Sequence, residues 1–293
     1  ISPVSEISKN NKSPDTTKAA NTTETDTKAA CYSYSYGHLI DVRWGVDEQC
    51  DSKTITTTPH PTVKLLNASP ISSTSSGIPS NCQNRQTGIH LIKMPNFKID
   101  PFYIYCLEDP QQDGASWMLI QRRRNGKTDF YRNWNDYQLG FGNLENEFFI
   151  GLNKLHALTQ FTPHELWIQL EDFANETRSA RYSSFAIGNE SELYALKELG
   201  SYTGNAGDSL TMHVGQNFTT KDVDNDLDDD NNCAVISTGA WWYKDCSYKS
   251  NLNGKYFGKS FAMLKISKGV EWESWHGYYY SLKYVHMAIR PLE

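Results

Sequence analysis

Residues 222–233 read DVDNDLDDDNNC and place six aspartates within nine positions. Carboxylates at alternate positions can converge on one hard cation, and Ca²⁺ takes about 6 to 8 oxygens, with carbonyls and waters filling the shell. The run is not an EF-hand. A loop starting at Asp222 would need Gly where Leu227 stands and Glu where Cys233 stands, and a start at Asp224 meets Asp229 and Val235 at those places. The competing reading is a solvated acidic run.

No other constellation supports catalysis. GKSFA at 258–262 lacks the last Gly of a nucleophile elbow, and HELWI at 164–168 lacks the second His of a zincin. His164 precedes an apolar alternation and reads as a structural, hydrogen-bonded histidine. Arg122, Arg123 and Arg124 abut a turn signal and read as a solvated turn. The carboxylate pair of a glycosidase is a spatial feature, about 5 to 10 Å across, that sequence does not display. The chain is therefore expected not to be an enzyme.

The six cysteines, Cys31, Cys50, Cys82, Cys106, Cys233 and Cys246, are even in number and contain no CxxC pair, which favours disulfides over a metal or redox site. Six Asn-x-Ser/Thr sequons begin at Asn11, Asn21, Asn67, Asn175, Asn189 and Asn217. The chain opens at Ile1 with neither an initiator Met nor a hydrophobic leader, as either a processed secreted protein or a recombinantly expressed piece would. Together these features predict a secreted, extracellular glycoprotein. A net charge of -6 with 28 Lys plus Arg argues against a nucleic-acid partner, which needs a basic footprint. The longest uncharged, largely apolar run, 233–243, falls far short of the roughly 20 residues that span a bilayer, so no membrane insertion is expected.

The elements that must hold these residues are read from periodicity. Hydrophobic residues make up 38% of the chain, yet it carries eight Trp, 17 Tyr and 12 Phe, so a polar segment dilutes an aromatic-rich folded one. Residues 1–30 form a Ser/Thr/Asn-rich tail and 51–78 a Ser/Thr/Pro-rich linker, both expected to be disordered. Between them, residues 31–50 form a small cysteine-closed segment in which Tyr32, Tyr34 and Tyr36 alternate as on a half-exposed strand. Cys31 and Cys50 either staple this segment or join two chains as a disulfide-linked homo-oligomer. From residue 79 onward, Asn125-Gly126 between residues 117–122 and 129–134 signals a hairpin. Leu152, Leu155 and Leu158 share one helical face. Residues 164–173 and 181–187 read as strands, and the Gly/Asn-rich region after Gly200 as loops. The class is α+β with an irregular C-terminal third.

Taken in order, NCQNRQTGIHLI, FYIYCLED, the long run from WMLIQRRRNGKTDFY to LHALT, LWIQLEDF, ARYSSFAIG, YTGNAGDSL, NCAVISTGAWWYKDCSYKSNLNGKY and WHGYYYSLKYVHMAIRP resemble the fibrinogen C-terminal domain. That domain is shared by fibrinogens, ficolins, tachylectins and angiopoietins, and the resemblance covers residues 79–293. It implies an antiparallel sheet with short helices and an irregular calcium-binding C-terminal subdomain. It also implies disulfides Cys82–Cys106 and Cys233–Cys246, and Ca²⁺ as cofactor. The carboxylates of Asp224 and Asp226 and the carbonyls of Asp228 and Asp230 would be ligands, the last two uncertain by one position because one extra residue precedes Cys233.

In lectin-like members a pocket beside the calcium loop takes acetyl groups, and in fibrinogen a peptide knob. The resemblance implies a pocket wall around a cis peptide at Asp245–Cys246. Ser247, Ser237 and Ile266 stand where acetyl-binding members carry a His and aromatic residues, and Tyr278 is the one aromatic retained. Trp241 and Trp242 read as core packing. The expected function is calcium-stabilised, lectin-like recognition of a glycan or other surface ligand, in innate immunity. The alternative is an extracellular signalling or matrix ligand that docks to a cell-surface receptor by a protein surface.

Overall fold

A computed structural model describes residues 30–35, 38–44, 77–109, 116–259 and 268–292. The chain divides into two units, 1–71 and 72–293. In the first, β1 (Ala30–Ser35) and β2 (His38–Trp44) pair antiparallel, with a register shift at Ser33/Tyr34. The expectations for residues 1–29 and 51–76, for a Cys31–Cys50 bond, for the sequons at Asn11, Asn21 and Asn67 and for Ile266 lie outside the described residues.

The second unit is built on a nine-stranded antiparallel sheet. β3 (Gly88–Ile92), β4 (Phe102–Glu108) and β5 (Ser116–Arg123) form one side. The two-residue strands β6 (Phe141–Gly142) and β7 (Phe148–Phe149) attach to β5. β8 (His164–Glu171) and β9 (Thr177–Tyr182) form the other side. A short ribbon of β10 (Phe185–Ile187) and β11 (Leu196–Leu199) stands apart, while β12 (Tyr202–Gly204) extends the main sheet beyond β9. A second ribbon joins β13 (Ser250–Asn251) to β14 (Glu271–Trp272). The last strand, β15 (Tyr284–Pro291), inserts between β5 and β8 and so closes the sheet with the chain's end.

Local pattern explains the central elements. In β8 every second side chain, His164, Leu166, Ile168 and Leu170, is buried, as a strand covered on one face requires. In α2 (Leu152–Phe161) the three leucines predicted to share a face are fully buried. α1 (Trp134–Leu139) buries Tyr137 against Phe141, Phe149 and Phe218. Trp241 and Trp242 are fully buried and meet at 5.0 Å between ring centroids, as expected of core residues. Both implied disulfides, Cys82–Cys106 and Cys233–Cys246, are formed. Among the described residues no helix is long and apolar enough to cross a membrane.

Three local expectations are corrected. The Asn125-Gly126 turn exists, but residues 129–133 do not return as a strand. β7 takes that place, with Gln121 opposite Phe149 and Arg122 opposite Phe148. The reason is Glu147, whose carboxylate accepts the backbone N–H groups of Arg124, Asn125, Gly126 and Thr128 and so bends the turn toward itself. Arg122 and Arg123 are buried, not solvated. Arg123 donates to the carbonyls of Leu252 and Gly254 and lies 3.8 Å from the centroid of Phe130, and Arg122 donates to the carbonyls of Asn146 and Leu144. The strand expected over 181–187 breaks at Ser183-Ser184, because its second half pairs with β11.

Candidate functional site

The aspartate run is a loop between the Thr219–Trp241 bridge and α3 (Cys233–Ile236). Its carboxylates bond locally in steps of two, each accepting the amide two residues on: Asp224 from Asp226, Asp226 from Asp228, and Asp228 from Asp230. Asp226 also accepts the Cys233 N–H at 2.9 Å, which fixes it against the disulfide. The loop is tied down by Leu227 N–H to the Lys244 carbonyl, and by Asn225, whose Nδ2 donates to the Phe218 carbonyl and whose backbone N–H donates to the Thr219 hydroxyl oxygen. Asp222 is diverted elsewhere and accepts from Trp134 N–H and the Thr220 hydroxyl. Burial raises the Asp226 carboxyl above its ordinary value, and the neighbouring Asp224 charge adds to the rise. Asp228 approaches the sulfurs of Cys233 and Cys246, but a disulfide offers no thiolate, so any cation held here must be an oxygen-loving one.

Beyond Cys246 the chain folds back over β13 and β14. Ser237 is buried, and its carbonyl accepts from Asn251 Nδ2, while Asn251 Oδ1 accepts from the Tyr243 hydroxyl at 2.7 Å. Tyr243 packs on Tyr248 with ring centroids 5.2 Å apart. These residues form a floor. On the other flank of the same ribbon, Lys249 pairs with Glu273 at 3.2 Å and lies 5.4 Å from the Tyr278 ring. Hydrogen bonds donated to Tyr278, then to Glu273, raise the Lys249 ammonium above its ordinary value. Tyr278 is half-buried, so this rim presents one aromatic edge and one ion pair to solvent. Asp245 accepts the Ser247 N–H, and Ser247 is exposed.

The structure thus ties Ser237 to the floor, Cys246 to Cys233, and Tyr278 to the rim. It leaves Ser247 in solvent. Residues that the sequence reading did not single out, Tyr243, Tyr248, Lys249, Asn251 and Glu273, supply most of the polar and aromatic contacts. Tyr243 and Tyr248 flank Cys246 closely enough to have been noticed; Glu273 is too distant in sequence.

A family model for the C-terminal globular domain of fibrinogen beta and gamma chains matches residues 79–292. The chain belongs to this family. Its fibrinogen-like domain is 46% identical over 196 residues to human fibrinogen C domain-containing protein 1, covering 65% of this chain and 41% of that protein. It is 42% identical over 205 residues to human tenascin-R, covering 70% of this chain and 14% of that one. The chain therefore spans less than half the length of these curated relatives. Among solved structures, the fibrinogen-like globe of human ANGPTL2 superposes with a TM-score of 0.65 at 40% identity, covering 70% of this chain and 93% of that chain. Lamprey fibrin D-dimer, complexed with the peptide Gly-His-Arg-Pro-amide, gives 0.68 at 31% identity with 74% of each chain covered. The expected fold is the observed one: a fibrinogen-like globe with an antiparallel sheet and few short helices.

Burial lowers His164 to about 4 and its Nδ1 meets the Thr162 carbonyl, so it is a neutral structural histidine at physiological pH, as expected.

Proposed function

We propose that this chain is an extracellular, non-enzymatic recognition protein. Its fibrinogen-like domain is stabilised by Ca²⁺ and receives a small polar or acylated ligand, such as a glycan, between the Tyr243–Asn251 floor and the Tyr278–Lys249–Glu273 rim. The observation that carries the reading is that rim: a half-buried aromatic ring beside a fixed ion pair, next to the disulfide that anchors the acidic loop. Calcium fits the donors present. They are carboxylate and carbonyl oxygens, and the Asp226 carboxyl, raised first by burial and then by the Asp224 charge, sits where a divalent cation would favour its ionised form. Asp224 and Asp226 would hold it, with carbonyls of Asp228 and Asp230. The ion would supply charge neutralisation and rigidity to the wall carrying Asp245 and Ser247.

Binding of the full chain to N-acetylglucosamine resin in millimolar calcium, with elution by free sugar, tests the reading. Retention lost on Tyr278→Ala supports it, and retention that survives this change counts against the rim.

A second reading, a ligand that docks on a receptor through a protein surface, is favoured by a different observation. Leu227, Val235 and Ile236, on or beside the acidic loop, are 64%, 46% and 40% exposed. Apolar side chains grouped in this way mark interaction surfaces. Ile236→Asp should abolish receptor capture and leave sugar retention intact if this surface is the functional one.

A further inference from the structure

A groove of about 530 Å³ opens on the domain surface, lined by Ser191, Glu192, Leu193, Lys197, Gly215 and Asn217 and by none of the rim residues just described. Its volume lies in the range, roughly 300 to 1,000 Å³, that holds a small organic ligand. Its chemistry is that of a sugar seat: Leu193 gives an apolar patch, and the Lys197–Glu192 ion pair at 2.8 Å gives a donor and an acceptor. Leu193 and Tyr194 both adopt left-handed backbone, φ 52 and 48, an uncommon pair for residues with large side chains. At Gly215, with φ 83, an added Cβ would meet nothing within 4 Å, so the groove is open at that end.

Asn217 begins the sequon Asn217-Phe218-Thr219. We propose that Asn217 carries an N-linked glycan whose first sugars lie in this groove. In the transfer, Nδ2 of Asn217 forms a bond to C1 of an oligosaccharide donated by a lipid pyrophosphate. The C1–O bond to phosphate breaks, the pyrophosphate leaves with the lipid, and the amide loses one proton. One N–H remains, and among the described residues Asn217 Nδ2 donates one bond, to the Asn225 carbonyl at 3.5 Å. Glycosylation therefore leaves the tie to the acidic loop in place. Burial of Phe218 and Thr219 is no obstacle, since the oligosaccharide is attached to an extended chain before the domain closes around these two residues.

The sequons at Asn175 and Asn189 provide internal controls. Both side chains are exposed, with Oδ1 engaged by Lys283 and by Glu192 N–H respectively, and neither lines the groove. Asn189 is bonded to Ser191 and Glu192 at the groove's edge, whereas Asn175 has no bond to a groove residue among the described residues, which makes Asn175 the stricter control.

The test is the full chain secreted from a eukaryotic cell, treated with peptide-N-glycosidase in heavy-oxygen water and mapped by peptide mass spectrometry. Asn217 is expected to be occupied, and under native conditions to be cleaved at least ten-fold more slowly than whichever of Asn175 and Asn189 is occupied. Denaturation should erase the difference, and Lys197→Ala should reduce it. Should neither control site be modified, native cleavage at Asn217 is compared with that of the same protein after denaturation. An unmodified Asn217 overturns the proposal. Native cleavage as fast as at the controls, or as after denaturation, overturns the placement of the sugars in the groove.

Discussion

At the scale of single residues, the calcium site proposed for the acidic loop would couple protonation and the ion with opposite signs. Asp226 has a carboxyl raised first by burial and then by Asp224. A raised folded-state value means that this group's contribution to stability is fully present below the ordinary carboxyl range and is lost as pH rises through the raised value. Without calcium, Asp224→Asn should leave the melting temperature at pH 7 unchanged or higher, because it removes the neighbouring charge and keeps an acceptor for the Asp226 N–H. With millimolar calcium the rise expected of the wild-type protein should shrink sharply in the variant, since ligand linkage depends on affinity. A variant that gains as much from calcium as the wild type would remove Asp224 from the ligand set. The arginine run shows what a sequence hides at this scale. Three adjacent arginines look alike, yet Arg123 is buried and remains charged at neutral pH, although desolvation lowers it to about 10. Its carbonyl partners at Leu252 and Gly254 lie far along the chain, so no local pattern announces them. Arg123→Ala should cost about 3 kcal/mol or more, from two stranded carbonyls and lost contact with Phe130. The exposed Arg124→Ala should stay within about 0.5 kcal/mol. Urea midpoints for the two variants compare them directly, and equal shifts would contradict the burial of Arg123.

At the scale of elements, what could be read was what repeats locally. The leucine spacing of α2 and the strict alternation of β8 each fix a face without help from elsewhere. The turn at 124–128 was legible as a turn but not in its partner, because Glu147 organises it from another segment. Burial alone would raise the Glu147 carboxyl, and bonds from the N–H groups of Arg124, Thr128, Asn125 and Gly126 outweigh it, leaving it below the ordinary value. A lowered folded-state value contributes stability above the ordinary carboxyl range, lost as pH falls through the lowered one. Glu147→Gln should therefore destabilise by about 2 kcal/mol at pH 7, since an amide donor now faces an N–H and a charge-assisted set is lost. The difference from wild type should narrow on acidification toward the folded-state value. A pH-independent difference in chemical denaturation would show that the carboxylate charge is not what holds the turn. β10 shows the converse: residues 181–187 have a strand's composition, but pairing with β11 in a separate ribbon breaks them in two.

At the scale of the whole molecule, family membership was legible because ordered matches recur along the domain, while the cleft was legible only in part. Ser237 and Tyr278 were singled out, but the contacts that make a floor and a rim come from Asn251, Lys249 and Glu273, brought together by the β13–β14 ribbon. The proposed cleft would offer a methyl group few walls, since Tyr278 is half-buried and Ser247 is a small, exposed side chain. A small sugar has few atoms from which to draw affinity, and each lost factor of ten is about 1.4 kcal/mol. A single cleft should therefore bind N-acetylglucosamine at about millimolar strength or weaker. Several clefts on one assembly recover affinity through effective concentration, commonly by a factor of about 10² to 10⁴. The two bonds formed in the domain use four of the six cysteines, which leaves Cys31 and Cys50 as the residues that can join chains covalently. Monomeric chain, prepared with Cys31 and Cys50 replaced by Ser, should pass through N-acetylglucosamine resin with little delay. The same chain displayed four at a time on a tetrameric biotin-binding scaffold should be retained and released by free sugar. Micromolar binding by the monomer in calorimetry, abolished by Tyr278→Ala, would mean that one cleft suffices despite its missing walls. Failure of the tetramer to bind would turn the argument toward the exposed surface at Leu227, Val235 and Ile236.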